Sequence, residues 1–219
     1  MSNGYILQMK KVVKQFPGVL ALNNVDLEVS KGEVLALIGE NGAGKSTLMK
    51  VLSGALQLDG GEIILDGHLV PPDTIPKARI DLGIAIIYQE LNYLNEMTIA
   101  ENLFIGRVPL KGVFRQVDYK EMANTARKLL SSFNLEYDPF TKVKKLNVAE
   151  KQIIEILRAV SRDVKVLIMD EPTSSLNEIE AKQLFVFINK LKERGVSIIY
   201  ISHKLDEVFS IADRVQIMR

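Results

Sequence analysis

The residues best suited to chemistry lie in one glycine-rich stretch, GENGAGKST, at positions 39–47. The stretch fits the pattern Gly-x4-Gly-Lys-Ser/Thr through Gly39, Gly44, Lys45 and Ser46. In this pattern the glycines let the backbone curl so that successive N–H groups point at phosphate oxygens. The N-terminus of the helix that follows adds a favourable dipole. The stretch therefore predicts a binding site for the phosphates of a nucleotide.

Each position of this phosphate loop has an expected role. Lys45 is expected to reach the β- and γ-phosphates, the Ser46 hydroxyl to bind Mg²⁺, and Thr47 to contact the α-phosphate. A dinucleotide-binding fingerprint fits less well, because Thr47 stands where its last Gly or Ala belongs. The backbone of the loop is expected to surround the phosphates through Gly39, Asn41, Gly42, Ala43 and Gly44.

A pair of carboxylates ends a second apolar run, KVLIMDEP, which begins at Lys165. Asp170 and Glu171 would lie at the carboxyl end of a buried strand, where open α/β sheets present ligand-binding groups. Asp170 is expected to hold Mg²⁺, and Glu171 to orient or deprotonate an attacking water. Asp-Glu alone is also typical of a solvated strand end. Together with the phosphate loop it indicates nucleotide hydrolysis.

Two further polar residues follow buried strands and fit the same site. Gln89 comes after IAIIY and is placed to sense both metal and water, whereas an ordinary loop residue is the simpler interpretation of it alone. His203 comes after SIIYIS, where its imidazole can hydrogen-bond a γ-phosphate. Its alternative role is a helix N-terminal residue bonded to backbone.

The elements that must position these residues alternate between strands and helices. Short apolar runs within 5–38 indicate strands, a helix is predicted from Ser46 to about Gly54, and GEIILDG at 61–67 reads as a hairpin arm. Residues 90–160 carry helical periodicity and predict an inserted helical subdomain. Strand–helix alternation then resumes through 165–218, with helices predicted at 178–194 and 203–212. Near-continuous apolar strands between helices indicate a parallel sheet covered on both faces.

Composition excludes several classes of function. A net charge of +1 lacks the basic excess of a nucleic-acid-binding protein. The absence of cysteine excludes disulfides, thiol catalysis and zinc–thiolate sites, and two histidines are too few for a histidine-rich metal centre. No apolar run approaches the roughly 20 residues of a transmembrane helix, and the N-terminal sequence lacks a signal-peptide pattern.

Taken in order, these motifs resemble the nucleotide-binding domain of ABC transporters over essentially the whole chain. The resemblance implies an α/β P-loop NTPase fold of the ABC ATPase type. Its core sheet is mostly parallel, with an N-terminal antiparallel β subdomain and an inserted helical subdomain. It also implies ATP and Mg²⁺ as cofactors, Phe16 as the aromatic that stacks on adenine, and 90–102 as the segment that contacts the transmembrane permease subunits. A buried core position is the other interpretation of Phe16.

The amino-acid sequences of two stretches, 16–54 and 83–107, are similar to those of the first ATPase half of bacterial monosaccharide importers of the ribose/galactose/xylose type. This implies a single ATP-binding domain over 1–219, with 1–89 and 161–219 as its core and 90–160 as its helical part. The C-terminal half of the parent protein would be absent. It further implies a peripheral location on the cytoplasmic face of the inner membrane, a second ATPase half as partner, and indirect action with a periplasmic sugar-binding protein.

Two positions depart from the ABC pattern. The loop after the acidic strand usually ends in Asp, but here it ends in Asn177. The family signature Leu-Ser-Gly-Gly-Gln falls on Leu146, Asn147, Val148, Ala149 and Glu150. The lost glycines would weaken backbone contact with the γ-phosphate of an opposing domain, and a glutamate there would repel phosphate unless it is neutralised. A partner with an intact signature would then give one competent site and one degenerate site.

Two other functions remain open at the level of sequence. One is a nucleotide-gated regulatory module that barely hydrolyses ATP, against which Glu171 and His203 argue. The other is a soluble ABC-type ATPase that acts on DNA or ribosomes. Such proteins are expected to carry coiled-coil inserts or basic linkers, whereas the only dense basic run here is KVKK at 142–145, which a solvated loop explains.

Overall fold

The computed structural model describes residues 4–89 and 92–219 of the chain. The strands are, in chain order, β1 (Tyr5–Phe16), β2 (Val19–Ser30), β3 (Val34–Gly39), β4 (Gly60–Leu65), β5 (His68–Leu69), β6 (Ile84–Ile87), β7 (Leu110–Lys111), β8 (Gln116–Val117), β9 (Val166–Asp170), β10 (Ser197–Ile201) and β11 (Arg214–Met218). The helices are α1 (Lys45–Leu52), α2 (Pro76–Asp81), α3 (Ile99–Leu103), α4 (Tyr119–Ser132), α5 (Val148–Val160), α6 (Glu178–Glu193) and α7 (Leu205–Ile211), with a short 3₁₀ helix at Val143–Lys145.

Two sheets carry most of the strands. A parallel sheet has the strand order β11-β3-β10-β9-β6, and an antiparallel sheet has the order β2-β1-β4-β5. The central strands of the parallel sheet are apolar and buried along almost their whole length, as expected of strands covered on both faces. The predicted α/β fold with a parallel core sheet and an N-terminal antiparallel sheet is confirmed.

The described chain divides into two compact units. The first contains 4–89, 162–174 and 188–219, and the second contains 92–161 and 175–187. The second unit therefore includes the first part of α6, which the predicted helical segment 90–160 leaves out. Of the helices in the described ranges, none combines the length and apolar character that a bilayer span requires.

The core of the first unit fixes the strand ends that carry the predicted site residues. Leu35 and Leu37 of β3, Ile168 of β9 and Ile199 of β10 are all essentially inaccessible to solvent and belong to one cluster. Burying a side chain of this size stabilises a fold by about 1.5–3 kcal/mol. The strands are therefore held firmly at the edge where their polar residues begin.

The hairpin predicted around Asp66-Gly67 is confirmed. Leu65 of β4 lies opposite His68 of β5, and the two residues between them have φ values of 52° and 78°. Positive φ at both central positions is the backbone of a type I′ turn, which matches the twist of the flanking strands. Asp-Gly is a favoured pair for this turn because Gly adopts positive φ freely and Asp tolerates it.

The predicted secondary structure differs from the fold in two places. Residues 90–160 were expected to be helical, but they also contain the β7–β8 hairpin. Each of its strands has two residues, too few to show an alternating pattern in the sequence. The last helix begins at Leu205 rather than at 203. Helix ends are set by local hydrogen bonds that periodicity does not report.

Candidate nucleotide-binding site

The phosphate loop joins the end of β3 to the start of α1, as the motif requires. Gly44 is the N-cap of α1 and has a φ of 90°. A Cβ at this position would lie 2.7 Å from the carbonyl oxygen of Ala21 and 2.9 Å from the Leu22 side chain. Both the backbone conformation and the surroundings therefore require glycine here.

The N-terminus of α1 is open to an anion. Across the described chain no side chain caps it, and its first turn contains no acidic residue. Leu48 is the first residue of the helix whose N–H bonds a backbone carbonyl, that of Gly44, at 2.8 Å. The preceding N–H groups have no partner within the helix by its geometry. They are available to phosphate oxygens.

Lys45 places a cation over the same loop. Its Nζ donates hydrogen bonds to the carbonyl oxygens of Gly39, at 2.6 Å, and Glu40, at 2.9 Å. An ammonium group held beside open helix N–H groups complements a negatively charged ligand. The residues present thus fit the phosphates of a nucleotide.

The acidic strand end lies in the same sheet. Asp170, the last residue of β9, is in register with Ile201 of β10, which in turn is in register with Leu37 of β3. Parallel strands end at one edge, so the carboxylates and the phosphate loop leave the sheet on the same side. Burial first, and the neighbouring Glu171 carboxylate second, raise the pKa of Asp170 against the opposing effect of Lys45.

This electrostatic environment suits a divalent cation. A carboxylate that is costly to ionise gains from a bound positive charge. Within the described residues no three His, Cys, Asp or Glu side chains form a ready-made cage. Mg²⁺ is commonly held by one or two carboxylates together with substrate phosphates. Asp170 and the Ser46 hydroxyl are the groups that would hold it here.

Glu171 has the most unusual backbone of the site. Its φ is 46°, in the left-handed region that a non-glycine residue adopts at an energetic cost. Its N–H donates to the carbonyl oxygen of Ile201 at 3.0 Å, and its Oε1 lies 3.0 Å from Nδ1 of His203. The His203 side chain is 67% exposed, so it is bonded to this carboxylate while remaining open to solvent. The structure brings these two predicted residues together.

The other predicted site residues are placed as follows. Gln89 is exposed and lies two residues beyond β6, an edge strand of the parallel sheet. Phe16 ends β1 with 36% of its surface exposed and lies outside the buried core, with the Lys14 ammonium 5.7 Å from its ring centroid. An exposed aromatic ring is available for stacking. The roles of both residues stay predictions.

The signature position has a structure that the sequence analysis missed. Asn147 is the N-cap of α5, and its Oδ1 accepts from the N–H of Glu150 at 2.8 Å. In return the Glu150 carboxylate accepts from the N–H of Asn147 at 2.8 Å. This reciprocal pair is a capping box. The spacing Asn-x-x-Glu in the sequence was the signal that could have indicated it.

The carboxylate of Glu150 is further engaged by a tyrosine. Tyr137 donates its hydroxyl to Glu150, and burial together with this neighbouring charge raises the pKa of Tyr137 to about 12. The Glu150 carboxylate thus accepts from two donors of its own unit, the Asn147 N–H and the Tyr137 hydroxyl, and keeps its negative charge. Nothing in the sequence spacing indicated Tyr137.

Asn177, the second departure from the ABC pattern, plays the same part at α6. Its Oδ1 accepts from the N–H groups of Ile179 and Glu180, both at 3.0 Å. The Glu180 carboxylate accepts from the N–H of Asn177 at 3.0 Å. Asn and Asp are about equally good N-caps. The replacement therefore preserves the start of this helix.

The segment predicted to contact permease subunits, 90–102, is described from Asn92 onward, and its first two residues lie outside the described part of the chain. The Asn92 backbone donates to the Glu155 carboxylate and accepts from Arg158 at 2.6 Å. Both of these side chains belong to α5. The segment exposes Leu94 and Met97, with 48% and 40% of their surfaces accessible. It thus exposes two apolar side chains among polar ones and is bonded to α5 through Asn92.

Known proteins are similar to this chain in sequence and in fold. Residues 22–174 match the family model described as ABC transporter. The chain is 51% identical over 213 residues to the ribose import ATP-binding protein RbsA of Clostridium tetani. It is 47% identical over 214 residues to the galactose/methyl galactoside import ATP-binding protein MglA of Clostridium perfringens. These alignments cover 97% and 98% of the chain, but only 42% and 41% of the relatives.

Solved structures show the same relationship. The ADP conformation of MJ1267, an ATP-binding cassette of an ABC transporter, aligns with a TM-score of 0.86 at 30% identity. The alignment covers 98% of this chain and 87% of that one. A nucleotide-free cassette from an ABC transporter aligns with a TM-score of 0.85, also at 30% identity. By sequence and by fold, the chain belongs to the ABC transporter family.

Proposed function

We propose that this chain binds and hydrolyses ATP and thereby energises the import of a monosaccharide. The observation that carries the proposal is the convergence of two features at one sheet edge. These are the open N-terminus of α1 under Lys45, and the Asp170–Glu171 pair in contact with His203. The names of the similar relatives, which are ribose and galactose import ATP-binding proteins, supply the substrate class.

The residues divide the work of hydrolysis. Lys45, Thr47 and the backbone of 39–44 bind the phosphates, and Phe16 stacks on adenine. Asp170, the Ser46 hydroxyl and Gln89 would hold Mg²⁺, and its charge would neutralise phosphate oxygens. Glu171 orients or deprotonates the attacking water, and His203 holds Glu171 and contacts the γ-phosphate.

The chain acts with partners. It docks on transmembrane permease subunits through 90–102, at the cytoplasmic face of the inner membrane, and serves a periplasmic sugar-binding protein indirectly. It pairs with a second ATPase half rather than with nucleic acid. The length supports this: the chain spans 42% of the ribose import relative, so a region of comparable size lies in the remainder of that protein.

The two ATP sites of this pair are unequal. In ABC ATPases each ATP lies between the phosphate loop of one domain and the signature of the other. The N–H of Glu150 at the start of α5 is already bonded to Asn147, and the Glu150 carboxylate carries negative charge there. This half therefore offers a good phosphate loop and a poor signature. A partner that carries Leu-Ser-Gly-Gly-Gln completes one competent site.

Steady-state ATPase measurements test this proposal. The chain is assayed alone and with a second ATPase half that carries an intact signature. We expect turnover per phosphate loop of this chain to rise with the partner, because only then does Glu171 face a complete site. Equal turnover in both cases would refute the asymmetry.

The variant Glu171→Gln tests the catalytic role of Glu171, because it keeps the size of the side chain and removes its basicity. It should bind ATP as the unchanged chain does and lose hydrolysis by 100-fold or more, as expected of a general base worth about 10²–10⁴-fold. An unchanged rate would show that Glu171 has no part in catalysis.

A further inference from the structure

One carboxylate outside the predicted site gathers donors from two strand ends. Glu207, in the first turn of α7, accepts from the hydroxyls of Thr173 at 2.6 Å, Tyr200 at 2.8 Å and Ser202 at 3.2 Å, all on Oε2. The three donors are at most 4% exposed and the Glu207 side chain is 11% exposed. Three hydroxyls on one buried oxygen form a tightly defined polar centre.

Lys204 completes the centre on the other oxygen. Its Nζ lies 3.0 Å from Oε1 of Glu207 and donates to the carbonyl oxygen of Thr173 at 3.3 Å. Its backbone N–H donates to the Ser202 hydroxyl at 3.1 Å. Burial alone would raise the pKa of Glu207, but the donors from Thr173, Lys204 and Tyr200 outweigh it and hold the pKa below its usual range. The group is therefore ionised at neutral pH.

Two residues of this centre are neighbours in sequence of Glu171 and His203. Thr173 stands two residues after Glu171, and Ser202 stands immediately before His203. The centre thus ties the loop that follows β9 to the loop that follows β10. Glu171 holds a left-handed backbone conformation, which persists only where its surroundings determine it. The hydrogen bond from its N–H to Ile201 is one such constraint, and the Thr173–Glu207 bond is a second.

We propose that Glu207 is a positioning residue that sets the geometry of Glu171 against His203 by linking the loops after β9 and β10. This inference rests on the proposed hydrolysis of ATP at the same site. The bonds of the Glu207 carboxylate go to Thr173, Tyr200, Ser202 and Lys204, so its effect on Glu171 and His203 passes through Thr173 and Ser202.

A simpler role for Glu207 would be stabilisation of α7. An acidic residue in the first turn of a helix interacts favourably with the dipole. Asp206 occupies the same turn and is exposed, which makes it a matched control. Glu207→Gln and Asp206→Asn each remove one negative charge from this turn. Only the first changes the polar centre.

The first readout needs no nucleotide. The chain contains two histidines, so ¹⁵N NMR of the imidazoles gives one signal set for His203 and one for His68, which lies on β5 and serves as reference. In Glu207→Gln the His203 Nδ1 shift at fixed pH should move as its bond with Glu171 weakens, while His68 stays in place. In Asp206→Asn both should stay in place. An unmoved His203 in folded Glu207→Gln would overturn the proposal.

The second readout is kinetic. Glu207→Gln should lower kcat for ATP hydrolysis by about 10-fold or more and leave KM within about two-fold, because a misplaced base slows chemistry more than binding. A fall confined to stability, or one matched by Asp206→Asn, would overturn the proposal.

The proposal can still be tested if Glu207→Gln does not fold or if the chain shows no ATPase activity. If Glu207→Gln fails to fold, Thr173→Val removes one donor to Glu207 at constant size, and Thr173→Ser, which keeps the hydroxyl, is its control. Thr173→Val should shift the His203 signal more than Thr173→Ser does, and equal shifts would overturn the proposal. If the unchanged chain hydrolyses no ATP with any partner half, the proposed function fails, whereas the NMR comparison still decides whether Glu207 positions His203.

Discussion

The N-termini of α1 and α5 are two helix starts built in opposite ways. The first begins at Gly44, and within the described chain no side chain caps it and no acid occupies its first turn. The second begins at Asn147, which exchanges hydrogen bonds with Glu150 in a capping box. The first start leaves its N–H groups to a ligand. The second satisfies the N–H groups of Asn147 and Glu150 with its own side chains.

This contrast shows how one fold assigns anion binding to one helix and withholds it from another. A helix start attracts an anion through unsatisfied N–H groups and its dipole. At the start of α5 an Asn oxygen and a Glu carboxylate already accept from two of these N–H groups, so a phosphate would compete with both side chains. The start of α6, with Asn177 and Glu180, is closed in the same manner. Open starts are therefore a local property of sequence, not of helices in general.

The largest expected effect comes from the cation at the open start. Lys45→Ala should weaken binding of Mg-ATP on the order of 100-fold, within the 2–5 kcal/mol that loss of a charged partner costs. Isothermal titration calorimetry measures the affinity. The control is Lys145→Ala, which removes an exposed lysine two residues before Asn147 and should leave the affinity unchanged. Equal losses in the two variants would mean that the two helix starts do not differ as described.

Opening the closed start should have the next largest effect. The variant Asn147→Ser, Val148→Gly, Ala149→Gly and Glu150→Gln converts this position to the family signature. It should raise ATP turnover of the chain alone on the order of 10-fold, since added backbone donors to a phosphate act as preorganised electrostatic stabilisation. Hydrolysis is followed by phosphate release at saturating ATP.

A control variant separates the effect of the added backbone N–H donors from the effect of the Glu150 charge. Glu150→Gln alone removes the negative charge but keeps Val148 and Ala149, so it should recover only a small part of the gain. Full recovery by this single change would show that the carboxylate, and not the missing glycines, makes the site degenerate. If neither variant raises ATP turnover, the signature position does not limit hydrolysis by this chain.

The open start was predictable from sequence because it depends on local pattern. The loop 39–47 has its strand before and its helix after in the order of the chain, and Asp170 and Glu171 end an apolar strand. Parallel strands bring such ends to one edge, so the sheet followed from the alternation of strands and helices. These features need no knowledge of distant contacts.

The closed start was only half predictable. The Asn-x-x-Glu spacing is present in the sequence, but the charge of Glu150 alone predicts repulsion of phosphate and not the capping box. The Tyr137 bond to Glu150 and the donors around Glu207 arise from tertiary packing between residues far apart in sequence. Such contacts leave no periodic trace, and the left-handed backbone of Glu171 leaves none either.

Breaking the closed start should cost stability and little else. Asn147→Ala removes the N-cap and should lower the free energy of unfolding by about 1 kcal/mol. In a chain of this size that corresponds to a fall in melting temperature of about 2–4 °C. Asn177→Ala at the start of α6 is the matched variant and should cost a similar amount. ATP affinity of the chain should be unchanged in both. A loss of affinity would contradict the closed character of α5.

The smallest expected effect is an increase in the free energy of unfolding, produced by a change at Asp170. Burial and Glu171 raise the pKa of Asp170, so the folded state binds its proton more tightly than the unfolded state does. The penalty is fully present above the folded pKa of Asp170 and disappears as the pH falls below the ordinary value of 3.8. Asp170→Asn should therefore stabilise the nucleotide-free chain at pH 7, and the gain should fade in acid.

Urea unfolding at pH 7 and at successively lower pH measures this gain, and a repeat with Mg-ATP completes the comparison. Mg-ATP should stabilise the unchanged chain more than Asp170→Asn, because binding to the folded state adds stability in proportion to affinity. If the variant is less stable than the unchanged chain at pH 7, Asp170 is not held at a cost to the fold. Stabilisation by Asp170→Asn together with destabilisation by Asn147→Ala would separate the two regions. The sheet edge at Asp170 would then keep an unsatisfied charge for a ligand, whereas the start of α5 would not.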